Sequence, residues 1–287
     1  MKPTKLLVCL FWFLGFFVPR AAFAQQVNFQ FAPPPIPYPY FEPKRNDFRL
    51  TGGYFTLPGT GINLKGGGVI GSGRHAANER VAFDGQVGLV ALNGTVPGFS
   101  LPSLQGVTLW SPVNEGDGRL SGVALPMSMN IEVQPINTPR GSLILFGGPN
   151  LMIAPLTIET PYHLKRGATV AQSSKFTTKA TVVIGGLQAG LQGAIPVKKF
   201  QLTPYAMVNM ESGSATFDFD TGYNTYIPVT DTVVNIEPFS FSTVGGDILY
   251  TPWNLSFGTL FQAASAKKQQ SGYKLVLFTV SWHLRKP

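Results

Sequence analysis

The stretch Met127-Ser128-Met129-Asn130-Ile131-Glu132-Val133-Gln134 decides the fold. Its apolar residues occupy every odd position and its polar residues every even one. On a helix both sets would be scattered around the circumference, whereas a strand sends them to opposite faces. Working outward, the same period of two recurs. Val81, Phe83, Val87, Leu89 and Ala91 oppose Asp84, Gln86 and Gly88. Leu202, Ala206, Val208 and Met210 oppose Thr203, Tyr205, Asn209 and Glu211. Leu255, Phe257, Phe261 and Ala263 share a face, as do Val276, Phe278, Val280, Trp282 and Leu284. The pattern predicts an all-β chain of about ten strands, near 47–57, 62–72, 80–92, 119–134, 141–155, 179–195, 200–218, 234–249, 254–265 and 273–284, with eight or twelve as alternatives.

The connections carry as much information as the strands. From the third strand onward, long ones (93–118, 156–178, 219–233) alternate with short ones (135–140, 196–199, 250–253). Loops sorted by parity are expected of a transmembrane antiparallel up-and-down β-barrel, with short turns at one end and long loops at the other. A soluble exported β-sandwich has no reason to sort them. Two uncharged stretches, Gly141 to Ile158 and Ala180 to Val197, invite a transmembrane-helix reading. The first holds Pro149 and Pro155 and the second holds Gly185, Gly186, Gly190 and Gly193, residues that a helix interior disfavours by about 3 and about 1 kcal/mol each.

Composition agrees. Charged residues make up 13% of the chain, against about a quarter in soluble proteins, and glycine is abundant at 32 residues. Residues 1–24 read as a signal peptide: Lys2 and Lys5, an apolar run from Leu6 to Val18, and the small-x-small site Ala22-Phe23-Ala24. Cys9 falls inside that leader, so the mature chain would hold no cysteine for disulfides, thiol catalysis or metal binding. Three of the 22 basic residues also fall there, leaving 19 against 14 acidic ones. The remaining basic residues come in scattered pairs, too sparse a footprint for nucleic acid. Residues 25–45 form a separate Pro-rich segment, with Pro33-Pro34-Pro35 and Pro37-Tyr38-Pro39-Tyr40 on an extended path; a disordered tail and a docking or plug strand both fit it. Residues 46–287 are the barrel.

The chain from Asn46 to Leu284 thus resembles a small bacterial outer-membrane β-barrel. The resemblance is architectural and rests on no diagnostic motif. It implies residence in the bacterial outer membrane, with membrane lipid and the outer-membrane assembly machinery as partners. In such barrels the last strand alternates apolar and aromatic residues and ends on an aromatic that the machinery recognises. Val276 to Leu284 fit the alternation, but the chain runs on through Arg285-Lys286-Pro287 and lacks the terminal Phe.

Ten residues are expected on the inner, lumen-facing side: Arg49, Asp84, Gln86, Asn130, Glu132, Gln188, Gln192, Tyr205, Asn209 and Glu211. A barrel of this size has an interior that side chains can fill, and mixed charges need partners there. A plug is expected, with pairs such as Arg49 with Asp84 or Glu132. Catalysis is not expected, because His75, His163 and His283 fall in a turn, a loop and a strand end, all surface settings, without the serine and carboxylate of a hydrolase. Asp218, Asp220 and Asn224, with Gly222 between, space oxygen ligands as a calcium loop would; they equally suit an ordinary hairpin end. No other cofactor is indicated. The function expected is a narrow channel or a carrier for small or hydrophobic molecules, with a small-molecule ligand as partner. The alternatives are a structural or adhesive barrel whose long outer loops bind partners, or a soluble exported β-sandwich.

Overall fold

In a computed structural model, residues 44–57, 63–96, 111–114, 116–166, 169–220, 232–264 and 274–285 are described. They form eleven strands: β1 (Asn46–Leu57), β2 (Asn63–Ala76), β3 (Val81–Val96), β4 (Ser111–Asn114), β5 (Gly118–Thr138), β6 (Gly141–Arg166), β7 (Thr169–Val197), β8 (Phe200–Asp220), β9 (Thr232–Tyr250), β10 (Leu255–Ala264) and β11 (Lys274–Arg285). Every pairing is antiparallel, and β1 pairs with β11, from Asp47 opposite Arg285 to Thr56 opposite Val276, which closes the wall. Ten strands make that wall. β4 stands apart from the circuit and pairs with the far end of β6, Ser111 opposite Lys165. No helix among the described residues is long and apolar enough to cross a membrane, and both helix candidates are strands.

Four short turns, at 77–80, 139–140, 198–199 and 251–254, mark one end of the barrel, and the connections at the other end are longer except for the two residues, 167–168, between β6 and β7. Closure at the short-turn end is reinforced by backbone bonds such as Gln134 N to Arg80 O at 2.8 Å and Thr251 N to Lys199 O at 3.0 Å.

Strand lengths are unequal. A membrane-spanning strand needs about 9–11 residues, which β10 matches with 10 and β1 and β11 barely exceed with 12 each, whereas β6 has 26 and β7 has 29. The expected loop at 156–178 is therefore mostly a ladder that continues to Arg166 opposite Thr169, and β4 occupies part of the expected loop 93–118. The sequence pattern hid the long ladder because the apolar phase reverses along β5, β6 and β8. On β8 the apolar residues face out at Leu202, Val208 and Met210 and are buried at Ala215 and Phe217. β6 changes from Leu145 and Leu151 outside to Leu156, Ile158 and Tyr162 inside, and β5 from Ile131 and Met129 outside to Ala124 and Leu120 inside.

That reversal has one physical cause. Toward the short turns, the outer face is apolar and the inner face mainly polar, with a small apolar cluster of Ala76, Ala82 and Ile144, the pattern of a barrel wall suited to lipid. Toward the long-loop end, the outer face turns polar (Thr157, Glu159, Lys175, Lys179, Ser214, Thr216, Asp218) while the inner face packs as a core of Phe55, Leu92, Leu156, Ile158, Val182 and Phe217. The upper barrel is organised as a water-soluble β-barrel. The bulge between Glu211/Gly213 of β8 and β9 falls at this level, and Pro238, which has no N–H to offer the ladder, sits in it.

Candidate functional site

The lower lumen is where polar side chains converge. The antiparallel register sets Asp47 opposite Arg74, Arg74 opposite Asp84, and Asp84 opposite Asn130. These neighbours on one inner row make a continuous belt. Arg74 Nη2 donates to Asp47 Oδ2 at 2.6 Å, and its Nη1 lies 3.7 Å from Glu132 Oε2. Arg45 Nε donates to the other Asp47 oxygen at 3.1 Å. Gln86 Nε2 and Asn130 Nδ2 both donate to Asp84 Oδ1, at 2.9 and 3.3 Å. Gln188 Nε2 then donates to Asn130 Oδ1 at 2.7 Å.

The last bond crosses a whole strand. Asn130 is on β5 and Gln188 on β7, with β6 between, where Gly148 stands opposite Gln188. A Cβ at Gly148 would overlap the Met129 carbonyl oxygen and crowd Asn130 Cα. Glycine is required here for close approach rather than for an unusual backbone angle, and it lets the polar belt continue from strand to strand.

A second row above the first carries Arg49, Ser72, Gln86, Ser128, Asn150 and Glu211, all buried. Arg49 Nη2 donates to Ser72 Oγ at 3.3 Å, and Asp247 and Asp84 both act on it electrostatically. Onward from β1 through β11, β10 and β9, Thr51 and Ser281 hydroxyls meet at 2.8 Å, Ser256 Oγ meets His283 Nε2 at 2.8 Å, and Gln262 Nε2 donates to Thr243 Oγ1 at 3.3 Å.

All ten residues expected on the inner face are buried: Arg49, Asp84, Gln86, Asn130, Glu132, Gln188, Gln192, Tyr205, Asn209 and Glu211. The bonds described join Asp84, Gln86, Asn130 and Gln188 into one network. To the expected pairing the structure adds Arg74 of β2, whose guanidinium is in ion-pair contact with Glu132, while Arg49 interacts electrostatically with Asp84 and Glu132. The sequence pattern ends this strand near residue 72, short of Arg74, whereas β2 runs to Ala76. Asp47 and Asp247 were also missed, although period-two counting from Phe48 and Ile248 would have placed both inside.

The histidine expectations also change. His75 and His163 lie on strands, and His283 is a buried residue, 1% exposed, rather than a surface one. His283 sits against Ser256 in the closed lower end. For the calcium reading, Asp218 is exposed on β8, while the Asp220 side chain and Asn224 lie outside the described residues. Among the described residues no group of His, Cys, Asp or Glu is arranged to hold a metal. Residues 1–43, with the leader and the Pro-rich segment, are outside the described residues too.

Above the belt the lumen is filled with apolar side chains. A small cavity between the tiers, lined by Thr51, Gly53, Gly68, Ile70, Val90, Leu277 and Thr279, has room for roughly one water molecule. The sequence reading missed this upper apolar tier altogether, and the phase reversal was the signal that would have revealed it.

No family model matches the chain, and no curated protein matches it either. Among solved structures, the chain is similar to the outer membrane protease OmpT from Escherichia coli, with a TM-score of 0.54 at 12% identity over 86% of this chain and 98% of that one. The translocator domain of the autotransporter NalP from Neisseria meningitidis follows at 0.38 and 14% identity, over 83% and 87%. The transport unit of the autotransporter AIDA-I from Escherichia coli stands at 0.37 and 10%, over 85% and 91%. At such identities the likeness to OmpT is one of fold, and together with the closed wall and the apolar belt it makes this chain a membrane-spanning β-barrel of the bacterial outer-membrane type.

Proposed function

We propose that this protein resides in the bacterial outer membrane as a closed, non-conducting barrel that presents a folded platform to partners outside the cell. The observation that carries the reading is the reversal of polarity along β5 to β9. A channel needs a continuous wet path, and here a polar belt lies below a packed apolar core. The upper core instead supports a rigid outer sheet with a polar exterior, as a binding surface requires. In this reading the long-loop end faces outward, with 93–118, 156–178 and 219–233 at the cell surface and the short turns in the periplasm. No catalytic role is assigned to the buried Ser256–His283 pair.

Two experiments test this. Single cysteines at Ser214 and Thr216 should react with a membrane-impermeant maleimide on intact cells, and one at Lys199 should not; the opposite pattern refutes the orientation. Cells displaying the protein should attach to immobilised glycans or matrix proteins better than cells whose β6–β7 hairpin is shortened above Glu159 and Lys175. Equal attachment across such arrays counts against the platform.

A second reading, a carrier for hydrophobic molecules, draws on the apolar lining of the upper tier. It requires that core to open, and saturable protection of Phe217→Cys from a thiol reagent by an apolar ligand would favour it.

A further inference from the structure

The short-turn end carries a ring of cations. Lys44 precedes β1, Arg80 lies in the β2–β3 turn, Arg140 in the β5–β6 turn, and Lys198 and Lys199 form the β7–β8 turn. All five are exposed. Among the described residues of these turns, Glu79 is the one acid. Two of the lysines also adopt backbone angles that residues with a Cβ disfavour: φ is 64° at Lys44 and 55° at Lys198. In the β7–β8 hairpin turn glycine or asparagine is the usual choice, so Lys198 runs against turn chemistry.

The ring lies beside an aromatic cluster. The Phe200 and Tyr250 ring centroids are 5.2 Å apart, and Tyr250 and Trp253 meet edge to face at 5.3 Å. Trp253 is 71% exposed and Phe200 46%. Thr251 N and Oγ1 each donate to Lys199 O at 3.0 Å, which fixes the turn bearing Trp253 against the turn bearing the lysines. Aromatic side chains outside a barrel mark the lipid headgroup level, and long basic side chains just beyond them reach the phosphates.

We infer that the β7–β8 turn is a binding site for an anionic phospholipid headgroup of the adjacent leaflet, with Lys198 and Lys199 on the phosphate and Phe200, Tyr250 and Trp253 against the glycerol and upper acyl chains. Arg80, Arg140 and Lys44 extend the same preference around the rim. Charge complementarity selects the anionic lipid over a zwitterionic one, and the aromatic cluster selects a lipid over a soluble phosphate. The inference rests on the proposed orientation, with the short turns beside the periplasmic phospholipid leaflet, and its lipid-retention readout fails independently of the labelling test on intact cells.

The test is lipid retention by the full chain in detergent, read by native mass spectrometry with phosphatidylglycerol and phosphatidylethanolamine supplied together. The unmodified protein should retain phosphatidylglycerol preferentially. The K198N/K199N double variant, whose asparagines suit the turn, should lose about 5- to 30-fold of that preference, at about a fivefold contribution per lysine. High salt should erode the preference of the unmodified protein without any substitution. Equal retention of the two lipids by the unmodified protein, an unchanged preference in the variant, or displacement of the lipid by millimolar inorganic phosphate would each overturn the assignment.

Discussion

A single arginine moved along the outer face of β8 should trace the polarity reversal directly. The apolar outer residues of this strand begin at Phe200 and end at Met210. Ten rises of about 3.4 Å give about 34 Å along the strand, and a tilt of about 40° reduces this to about 26 Å along the membrane normal. That matches the apolar band of about 25 Å expected of such barrels, and it puts Ala206 close to the bilayer midplane. Ala206→Arg should therefore destabilise by about 2–4 kcal/mol, Met210→Arg by at most about 1 kcal/mol, and Ser214→Arg and Thr216→Arg hardly at all. Folding equilibria in lipid vesicles, followed by tryptophan fluorescence against denaturant, read these differences. A flat profile, or a larger cost at Thr216 than at Ala206, would refute the assignment of belt and crest.

Other perturbations probe the two tiers. Arg74→Met leaves Asp47 and Glu132 without their shared guanidinium in a buried site and should cost about 3–5 kcal/mol in the same assay; an unchanged midpoint would show that the belt contributes no stability. Phe217→Ala, in the upper core at 2% exposure, should cost about 3–5 kcal/mol, while Thr216→Ala next to it should be silent, and equal effects would argue against a packed upper tier. Gly148→Ala drives a Cβ into the Met129 carbonyl and should cost about 1–3 kcal/mol, with loss of protection at the Asn130 and Gln188 amides in hydrogen exchange; normal protection would mean that the strands shift without breaking the belt.

The barrel was legible in the sequence wherever lipid imposes its pattern. Met127 to Gln134 alternates cleanly because one face lies in the exposed apolar belt and the other meets Arg74 and Asp84. The alternation failed to announce the strand ends because β6, β7 and β8 continue into water. There Leu156, Phe176 and Phe217 move to the inside, so the apolar phase reverses without any turn residue to mark it. The inner face of the lower tier was readable from parity alone. Partner choice was not, because parity gives a residue's face and the ladder register gives its neighbours. Arg74 and Glu132 come together across β3 only once Arg74 is opposite Asp84 and Ala82 is opposite Glu132. Likewise, nothing in the spacing of Ser256 and His283, 27 residues apart, signals that β10 and β11 bring them to 2.8 Å.

The closed lumen is tested most directly by single-channel recording of the purified full-length protein in planar bilayers. Two independent tiers block the path, so the unmodified protein should give no steady conductance above the bare membrane. Glu132→Ala should remain equally silent, because the apolar tier above Asp84 stays packed when the belt below it is disturbed. A steady, reproducible conductance from the unmodified protein would contradict the closed barrel and make a diffusion pore the correct reading.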